Sequence, residues 1–400
     1  MMNRYATAAA AGFLLAAGCV NLLLVDGQGR PGVARPTGSL PASGGPPGAA
    51  TGSTSADMAT ASATPAPAAS ASATPSPEPT ASASRPPQPT PLTFKGEVKL
   101  LAGNGTQTVK DGKGAAAGFN APRAVAIDET GDLWVLDGTD LGTTFWIRRV
   151  TPEGDVTTID ATKSTMLPYG IFAARGRLYT MMDERLWMRE ASGSWSVLAG
   201  AGGNGFSNGD PKTAKFSRPL GLVVDSAGNV LVADLGNRRI RKVTPAGQVS
   251  TFAGSGAAGR EDGPAASATL LPGALALAPD GALYFRDYQG GSVRMVTPGG
   301  EVKTLKTGVV TGEFWAGLAR DAAGTLYHSD GGPWSEPNHN VKKIDLQGNV
   351  TSLAGSGPYG YKDGTFAEAR FYGIAGLAID PVRGRLYTVE HSNFRVRFLE

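Results

Sequence analysis

The chain has 400 residues, with 37 basic and 34 acidic side chains and a formal net charge of +3. This near-neutral charge argues against a nucleic-acid partner, because proteins that bind the phosphate backbone concentrate positive charge. Cys19 is the single cysteine, so no disulfide can form within the chain. Phe, Tyr and Trp are absent between Phe13 and Phe94, which separates a short apolar start and a low-complexity segment from a long C-terminal domain.

Residues 1–26 have the pattern of a secretory signal. Arg4 precedes an uncharged run from Tyr5 to Val25, and small residues precede Cys19. The sequence LAAGC at residues 15–19 resembles the lipobox of bacterial lipoproteins, which implies lipidation of Cys19. A retained membrane anchor and plain secretion are the alternatives, since the uncharged run is long enough to span a bilayer. All three interpretations place the bulk of the protein outside the cytoplasm, and we predict a membrane-anchored location in the bacterial cell envelope.

Residues 27–92 consist mostly of Pro, Ala, Ser, Thr and Gly. Such a segment cannot bury enough apolar surface to offset its conformational entropy, so we predict a disordered linker. As a flexible coil it would span on the order of 45 Å. We expect this linker to hold the domain at residues 93–400 away from the membrane.

Residues 93–400 contain six copies of one pattern of four short strands. The clearest copy is residues 221–254, which read GLVVDSAGNVLVADLGNRRIRKVTPAGQVSTFAG. The turn between the first and second strand of each copy contains a glycine, and these are Gly131, Gly176, Gly228, Gly281, Gly324 and Gly384. Four short strands per repeat predict an all-β fold, a six-bladed β-propeller with four-stranded blades.

The sixth copy ends at Glu400 without a fourth strand. The missing strand occurs at the other end of the domain, because residues 96–103 (GEVKLLAG) match residues 348–355 (GNVTSLAG). A ring left open at this point would have an exposed sheet edge. We therefore predict that residues 96–103 form the outer strand of the last blade and close the ring.

The third strands alternate between apolar and basic residues, as in residues 240–243 (IRKV). This alternation predicts apolar side chains against the neighbouring blade and basic side chains in solvent. The second strands end in acids, which are Asp137, Asp183, Asp234, Asp287, Asp330 and Glu390. A ring of carboxylates could bind a cation, but the sequence after Asp234 favours acids that cap tight turns.

Four of the connections between blades share a strict spacing. A glycine is followed after eight residues by Asp or Asn, and after eight more by Phe or Leu. An Ala lies two positions before the Phe or Leu. The Asp or Asn members are Asp111, Asn208, Asp262 and Asp363. We expect these residues to cap a short helical turn whose Ala and Phe pack between blades.

Residues 232–247 (VADLGNRRIRKVTPAG) and the AGxG sequence that ends several repeats resemble the NHL-repeat family of six-bladed propellers. The resemblance covers residues 96–400. It implies a propeller that serves as a binding scaffold or an extracytoplasmic sensor. It also raises a rival function, because peptidylglycine lyases and gluconolactonase-like enzymes have the same or neighbouring folds. That rival is a metal-dependent hydrolase or lyase with its site in the central channel.

The candidate metal ligands are His328, His339 and His391, which have no tight ligand spacing, so solvated or hydrogen-bonded imidazoles are the favoured interpretation. Gluconolactonase-like enzymes have an acid at the start of an inner strand. The matching positions here hold no acid, and they are Arg123, Tyr169, Leu220, Gly273, Trp315 and Ile374. We therefore predict no cofactor and no catalytic set, and the question of enzymatic activity stays open.

Large side chains in irregular loops are the better candidates for ligand binding, because aromatic groups supply contact area at low entropic cost. The predicted contacts are Tyr169, Trp315, Trp334, His339, Trp146 and Arg123. For the two tryptophans Trp146 and Trp315, burial in the core is the alternative. We predict a monomeric, membrane-tethered module that binds an envelope or cell-surface protein, peptide or glycan.

Overall fold

The computed structural model describes residues 91–138, 144–163, 168, 170–309, 317–331, 339–355 and 357–400. The predicted signal, Cys19 and nearly all of the predicted linker lie outside these residues. Six antiparallel sheets form the blades of a β-propeller around a central channel, as the repeats predicted. The two helices in this part of the chain are single 3₁₀ turns, Gly114–Ala116 and Leu235–Asn237, and neither has the length needed to span a membrane.

The strands are numbered in chain order. Two precede the first blade, β1 (Glu97–Ala102) and β2 (Gly112–Lys113). Blade 1 comprises β3 (Pro122–Ile127), β4 (Leu133–Asp137), β5 (Thr144–Val150) and β6 (Asp155–Lys163). Blade 2 comprises β7 (Ile171–Ala174), β8 (Arg177–Met182), β9 (Arg185–Arg189) and β10 (Trp195–Ala199). Blade 3 comprises β11 (Pro219–Val224), β12 (Val230–Asp234), β13 (Arg239–Val243) and β14 (Val249–Ala253).

The connection into blade 4 contains β15 (Gly263–Pro264). Blade 4 comprises β16 (Pro272–Leu277), β17 (Leu283–Asp287), β18 (Ser292–Val296) and β19 (Glu301–Lys306). Blade 5 comprises β20 (Leu318–Arg320), β21 (Leu326–Gly331), β22 (His339–Ile344) and β23 (Val350–Ala354). After β24 (Gly364–Thr365), blade 6 comprises β25 (Ile374–Asp380), β26 (Arg385–Glu390) and β27 (Arg395–Leu399).

The N-terminal strand closes the ring, as predicted. Strand β1 pairs with β27 in antiparallel register, with Val98 opposite Leu399 and Lys99 opposite Phe398. The N–H of Gly96 donates to the carbonyl oxygen of Glu400 at 2.9 Å. Val98 is fully buried. The first and last strands of the domain therefore share one sheet.

Glycines let the innermost strands approach one another around the channel. A Cβ atom at Gly221 would lie 2.7 Å from the carbonyl oxygen of Gly273, and one at Gly317 would lie 2.6 Å from the nitrogen of Leu377. Both distances are too short for a side chain. The ring can therefore close at this radius only because these positions lack side chains.

The four connections with the eight-residue spacing pack between blades as predicted. Their small and large apolar members are buried, and these are Ala117, Phe119, Ala214, Phe216, Ala268, Leu270, Ala369 and Phe371. In three of them a two-residue strand also pairs with the outermost strand of a blade, namely β2 with β6, β15 with β19 and β24 with β1. Three blades therefore have five strands, and their outer edges are covered.

The two faces of the ring are named here by the chain segments that they contain. The connection face is the end of the channel at which the innermost strands begin and the second strands end. The turn face is the opposite end, where each innermost strand turns into the second strand of its blade. The apolar core lies between neighbouring blades, for example in the cluster that joins Tyr179 of blade 2 to Val232 of blade 3.

Candidate functional site

The first feature of the connection face is a set of buried arginines. Four third-strand arginines are almost completely buried, and these are Arg148, Arg241, Arg294 and Arg397. The prediction that the basic residues of the third strands point to solvent is therefore wrong for these four positions. In each of these third strands, the buried arginine directly follows the first Ile or Val of the strand pattern, as Arg241 follows Ile240.

Each buried arginine pairs with the acid at the end of the second strand of its own blade. In blade 4, Nη1 of Arg294 lies 2.7 Å from Oδ2 of Asp287, and in blade 3, Nη1 of Arg241 lies 2.8 Å from Oδ2 of Asp234. Burial raises the pKa of Asp287 and Asp234, while the arginines and donated hydrogen bonds oppose this rise. These acids are thus part of a buried ion-pair network, which extends the predicted role of turn capping.

The Asp or Asn of the inter-blade connection completes each network. Asp111 lies 3.0 Å from Nη2 of Arg148 and accepts hydrogen bonds from the main chain and hydroxyl of Thr158. The prediction that Asp111 caps a helical turn is wrong, because the N-cap residue of the 3₁₀ turn is Lys113 and no side chain caps it. The acid instead joins the connection to the third and fourth strands of blade 1.

Blades 2 and 5 lack both the spaced connection and the buried arginine. The register places Trp187 of blade 2 and Lys342 of blade 5 at the arginine position. Nζ of Lys342 lies 2.5 Å from Oδ2 of Asp330. The buried third-strand arginine and the connection with the eight-residue spacing therefore occur in the same blades. This correlation is visible in the sequence and could have identified the network.

Blade 5 contains the second feature, a buried imidazole. His328 is fully buried on β21. The equivalent second-strand positions hold Val135 in blade 1 and Val232 in blade 3. Within the described residues neither ring nitrogen makes a hydrogen bond of good geometry, and the main chain at Gly317 and Val309 acts to raise the pKa of the ring. Burial lowers the pKa of His328 well below its usual value, and the positive charges of Arg286 and Lys342 act in the same direction. His328 is therefore a neutral histidine in a polar site.

Arg286 of blade 4 is the charged neighbour of this histidine. Its side chain is fully buried, and its guanidinium lies 5.3 Å from the centre of the Tyr288 ring. Burial lowers the pKa of Arg286, while Tyr288 and Asp330 oppose this change. Gly273 leaves room for the tyrosine, since a Cβ atom there would lie 2.6 Å from Oη of Tyr288. The sequence interpretation missed both Arg286 and Tyr288.

His339 begins β22 and is buried, so the prediction that it lies in a loop is wrong. Its Nδ1 atom accepts a hydrogen bond from the N–H of Gly373 at 3.0 Å, whereas Nε2 is buried and has no hydrogen-bond partner within the part of the chain that the structure describes. The ring contacts the edge of Tyr372, with ring centres 5.4 Å apart, and Tyr372 stacks on Tyr359 at 4.8 Å. Half of Tyr359 is exposed. Burial lowers the pKa of His339, and Asp330 opposes this shift.

His391 and Arg123 lie together at the boundary of blades 6 and 1. Burial lowers the pKa of His391 to about 3, and the charge of Arg123 adds to this effect. The Nε atom of Arg123 donates to the carbonyl oxygen of Gly138. The N–H of His391 donates to the carbonyl oxygen of Gly373, the residue whose N–H contacts His339. Two of the three histidines are thus linked through one glycine.

The remaining predicted contacts fall into two groups. Trp146 is half-buried on β5, opposite Asp137, which places it on the connection face. Tyr169, Trp315 and Trp334 lie outside the described residues. The structure therefore brings Arg123 close to His391 between blades 6 and 1, whereas His339 contacts Gly373 across the boundary of blades 5 and 6.

The central channel has a different character from the connection face. It contains a cavity of about 510 Å³ lined mainly by apolar residues of all six innermost strands. Within the described residues, no group of three or more His, Cys, Asp or Glu side chains converges in a way that could hold a metal ion. Buried charged side chains of this part of the chain instead form ion pairs within blades 1, 3, 4 and 6.

A comparison with known families and proteins agrees with this architecture. Residues 216–243 match the model of the NHL repeat. The chloroplast protein SUPPRESSOR OF QUENCHING 1 of Arabidopsis thaliana is 25% identical to this chain, and the match covers 51% of this chain. The match covers only 27% of that plant protein.

Solved structures with this fold include a binding protein and an enzyme. An auxiliary nutrient binding protein from Bacteroides thetaiotaomicron has a TM-score of 0.57 and 14% identity, and the match covers 77% of each chain. A gluconolactonase from Xanthomonas campestris has a TM-score of 0.53 and 14% identity, with 79% of this chain and 94% of that chain covered. At this level of identity the similarity shows the fold alone. The chain is therefore a six-bladed β-propeller with an NHL repeat at residues 216–243.

Proposed function

We propose that the protein is a membrane-tethered ligand-binding module of the cell envelope, and that its connection face recognises a protein, peptide or glycan. The observation that carries this proposal is the Nε2 atom of His339, which is buried without a hydrogen-bond partner among the described residues. Since Nδ1 accepts from Gly373, a neutral His339 holds its proton on Nε2 and can donate it. A buried donor without a partner costs free energy, and a ligand acceptor would remove that cost.

The neighbouring groups suit a polar ligand with ring or carbonyl groups. The stacked pair Tyr359 and Tyr372 lies against His339, and the outer ring is half exposed. Aromatic rings of this kind supply contact area for sugars and peptides at low entropic cost. Arg286 and Arg123 add positive charge to the same face, which favours ligands with carbonyl or carboxylate oxygens.

The auxiliary nutrient binding protein supports a binding function only by its fold. The location rests on the sequence of residues 1–92, where Cys19 is the proposed site of lipid attachment. Trp334, which lies outside the described residues, remains a predicted contact.

The test is a calorimetric titration of the full-length chain with soluble muropeptides, which contain both sugar and peptide, followed by a glycan array. We expect saturable binding that His339→Phe and Trp334→Ala weaken at least tenfold. Trp334→Ala should do so without a lower melting temperature, whereas His339→Phe should also lose some stability because the Gly373 N–H loses its acceptor. Phe206→Ala is the matched control, since Phe206 is an exposed aromatic residue in the connection before blade 3. Binding to none of these ligands, or binding that His339→Phe leaves unchanged, would contradict the proposal.

A further inference from the structure

The turn-face end of the central channel has a composition that the proposed function does not use. One residue from each innermost strand, paired with the first apolar residue of the second strand, forms a ring around this opening. The six members are Ile127, Ala173, Val224, Leu277, Arg320 and Ile379. All six line the cavity of about 510 Å³. The opening is thus an apolar ring with one positive charge.

Arg320 has no carboxylate partner among the described residues. Its Nη1 atom donates to the carbonyl oxygen of Asp321 at 3.2 Å, and its guanidinium lies 5.7 Å from the centre of the Tyr284 ring. The Nε atom is buried, and none of the described residues accepts a hydrogen bond from it. A guanidinium has five N–H donors, so most of the hydrogen-bonding capacity of Arg320 is unused by the described residues.

Two acids that directly follow members of this ring, Asp321 and Asp225, are already engaged. The carboxylate of Asp321 accepts hydrogen bonds from the N–H groups of Leu92 and Thr325 and from the hydroxyl of Tyr327. The carboxylate of Asp225, which also lines the cavity, accepts three hydrogen bonds, two of them from Asn229. These acids serve their own turns, and neither forms an ion pair with Arg320.

We propose that the channel binds a small amphiphile with one carboxylate group. The apolar part of the ligand occupies the channel, and its carboxylate pairs with Arg320 at the turn face. The cavity has the size of small-molecule sites, whose walls are mostly apolar with a few polar groups that fix the ligand. Arginine binds a carboxylate through two parallel hydrogen bonds, and a partly desolvated cation gains from such a partner. This site is separate from the connection face.

The test compares octanoate with octanol, which share an apolar chain and differ in charge. Each is titrated calorimetrically into the full-length chain. We expect octanoate to bind more tightly, and Arg320→Met to weaken octanoate by roughly tenfold to hundredfold, the range expected for hydrogen bonds to a charged group. Octanol affinity should change by less than about twofold, since it makes no ion pair.

Two further variants keep the result interpretable. Leu277→Trp should block both ligands, because Leu277 lines the cavity at the same opening. Arg383→Met is the matched control, since Arg383 pairs with Asp380 and does not line the cavity. Equal affinities for octanoate and octanol, or octanoate binding that neither Arg320→Met nor Leu277→Trp weakens, would overturn the proposal. His339→Phe should leave octanoate binding unchanged, which separates this site from the connection face.

Discussion

Nδ1 of His339 accepts a hydrogen bond from the main-chain N–H of Gly373 at 3.0 Å, across the boundary between blades 5 and 6. This bond fixes the tautomer of the neutral imidazole, because a ring nitrogen that accepts a hydrogen bond carries no proton itself. Nε2 is then the donor, and no described residue accepts its hydrogen bond. The fold therefore orients a donor on the connection face through a main-chain contact that no sequence motif specifies.

Two substitutions at His339 separate its structural and ligand contacts. His339→Asn retains an acceptor near the position of Nδ1, whereas His339→Gln retains a donor near the position of Nε2. We expect His339→Asn to be the more stable variant by about 1–2 kcal/mol in urea unfolding, because only it accepts from Gly373. We expect His339→Gln to bind muropeptides more tightly. The reverse order in either measurement would contradict the assigned tautomer.

His391 should make stability depend on pH. Its pKa is about 3 in the folded protein and 6.5 in the unfolded chain. Between these values the unfolded state binds more protons, so the contribution of His391 is complete above pH 6.5 and is lost as the pH falls towards 3. The loss is at most about 1.4 kcal/mol per pH unit.

The measurement is urea unfolding of the wild type and His391→Gln across this pH range. The variant should lose stability less steeply as the pH falls. The pH dependence of stability that remains in the variant comes from other groups. These include His328 and His339, since burial lowers the pKa of both. Parallel curves for the two proteins would show that His391 titrates alike in the folded and unfolded states.

Removing one partner of the buried ion pair between Asp287 and Arg294 should lower the free energy of unfolding strongly. Asp287→Ala leaves Arg294 buried without its closest carboxylate, and we expect a loss of about 3–5 kcal/mol in the free energy of unfolding. The double variant Asp287→Leu with Arg294→Met should recover most of this loss, because it removes both charges. The control is Asp155→Ala, which breaks an exposed pair with Lys113 and should cost less than about 1 kcal/mol. Similar losses for both single variants would refute a buried ion-pair network.

The closing strand β1 should contribute strongly to stability through Val98. Val98→Asp places an unpaired carboxylate at a fully buried position, and we expect a loss of at least about 3 kcal/mol in chemical denaturation. Lys99→Ala on the same strand is the control, because Lys99 is half exposed and solvent screens its ion pairs. If both variants unfold at the same denaturant concentration, the strand does not hold the ring closed.

Lipid attachment at Cys19 is tested in a bacterial host with a clickable fatty acid. We expect the wild type to be labelled and membrane-bound, and Cys19→Ser to be unlabelled, because Cys19 supplies the thiol. An unlabelled wild type that stays in the membrane would favour the retained anchor. An unlabelled wild type in the soluble fraction would favour plain secretion.

Much of the fold was predictable because it depends on local periodicity. The turn glycines, the apolar second strands and the displaced fourth strand at residues 96–103 predicted six blades and their closure, and the structure confirms both. The buried apolar residues of the spaced connections, such as Phe119 and Phe216, were predicted for the same reason. Each of these features follows from the order of residue types along the chain.

The sequence by itself determined the repeat, the number of blades and the strand that closes the ring, because hydrophobic period and turn residues act over a few positions. Only the tertiary structure decided the surroundings of the charged residues. A strand of a propeller packs against blades on both sides, so alternation could not show that Arg294 is buried while its neighbour Met295 is partly exposed. The environments of Arg286, His328 and Arg320 likewise depend on residues from adjacent blades, which are brought together only when the ring closes.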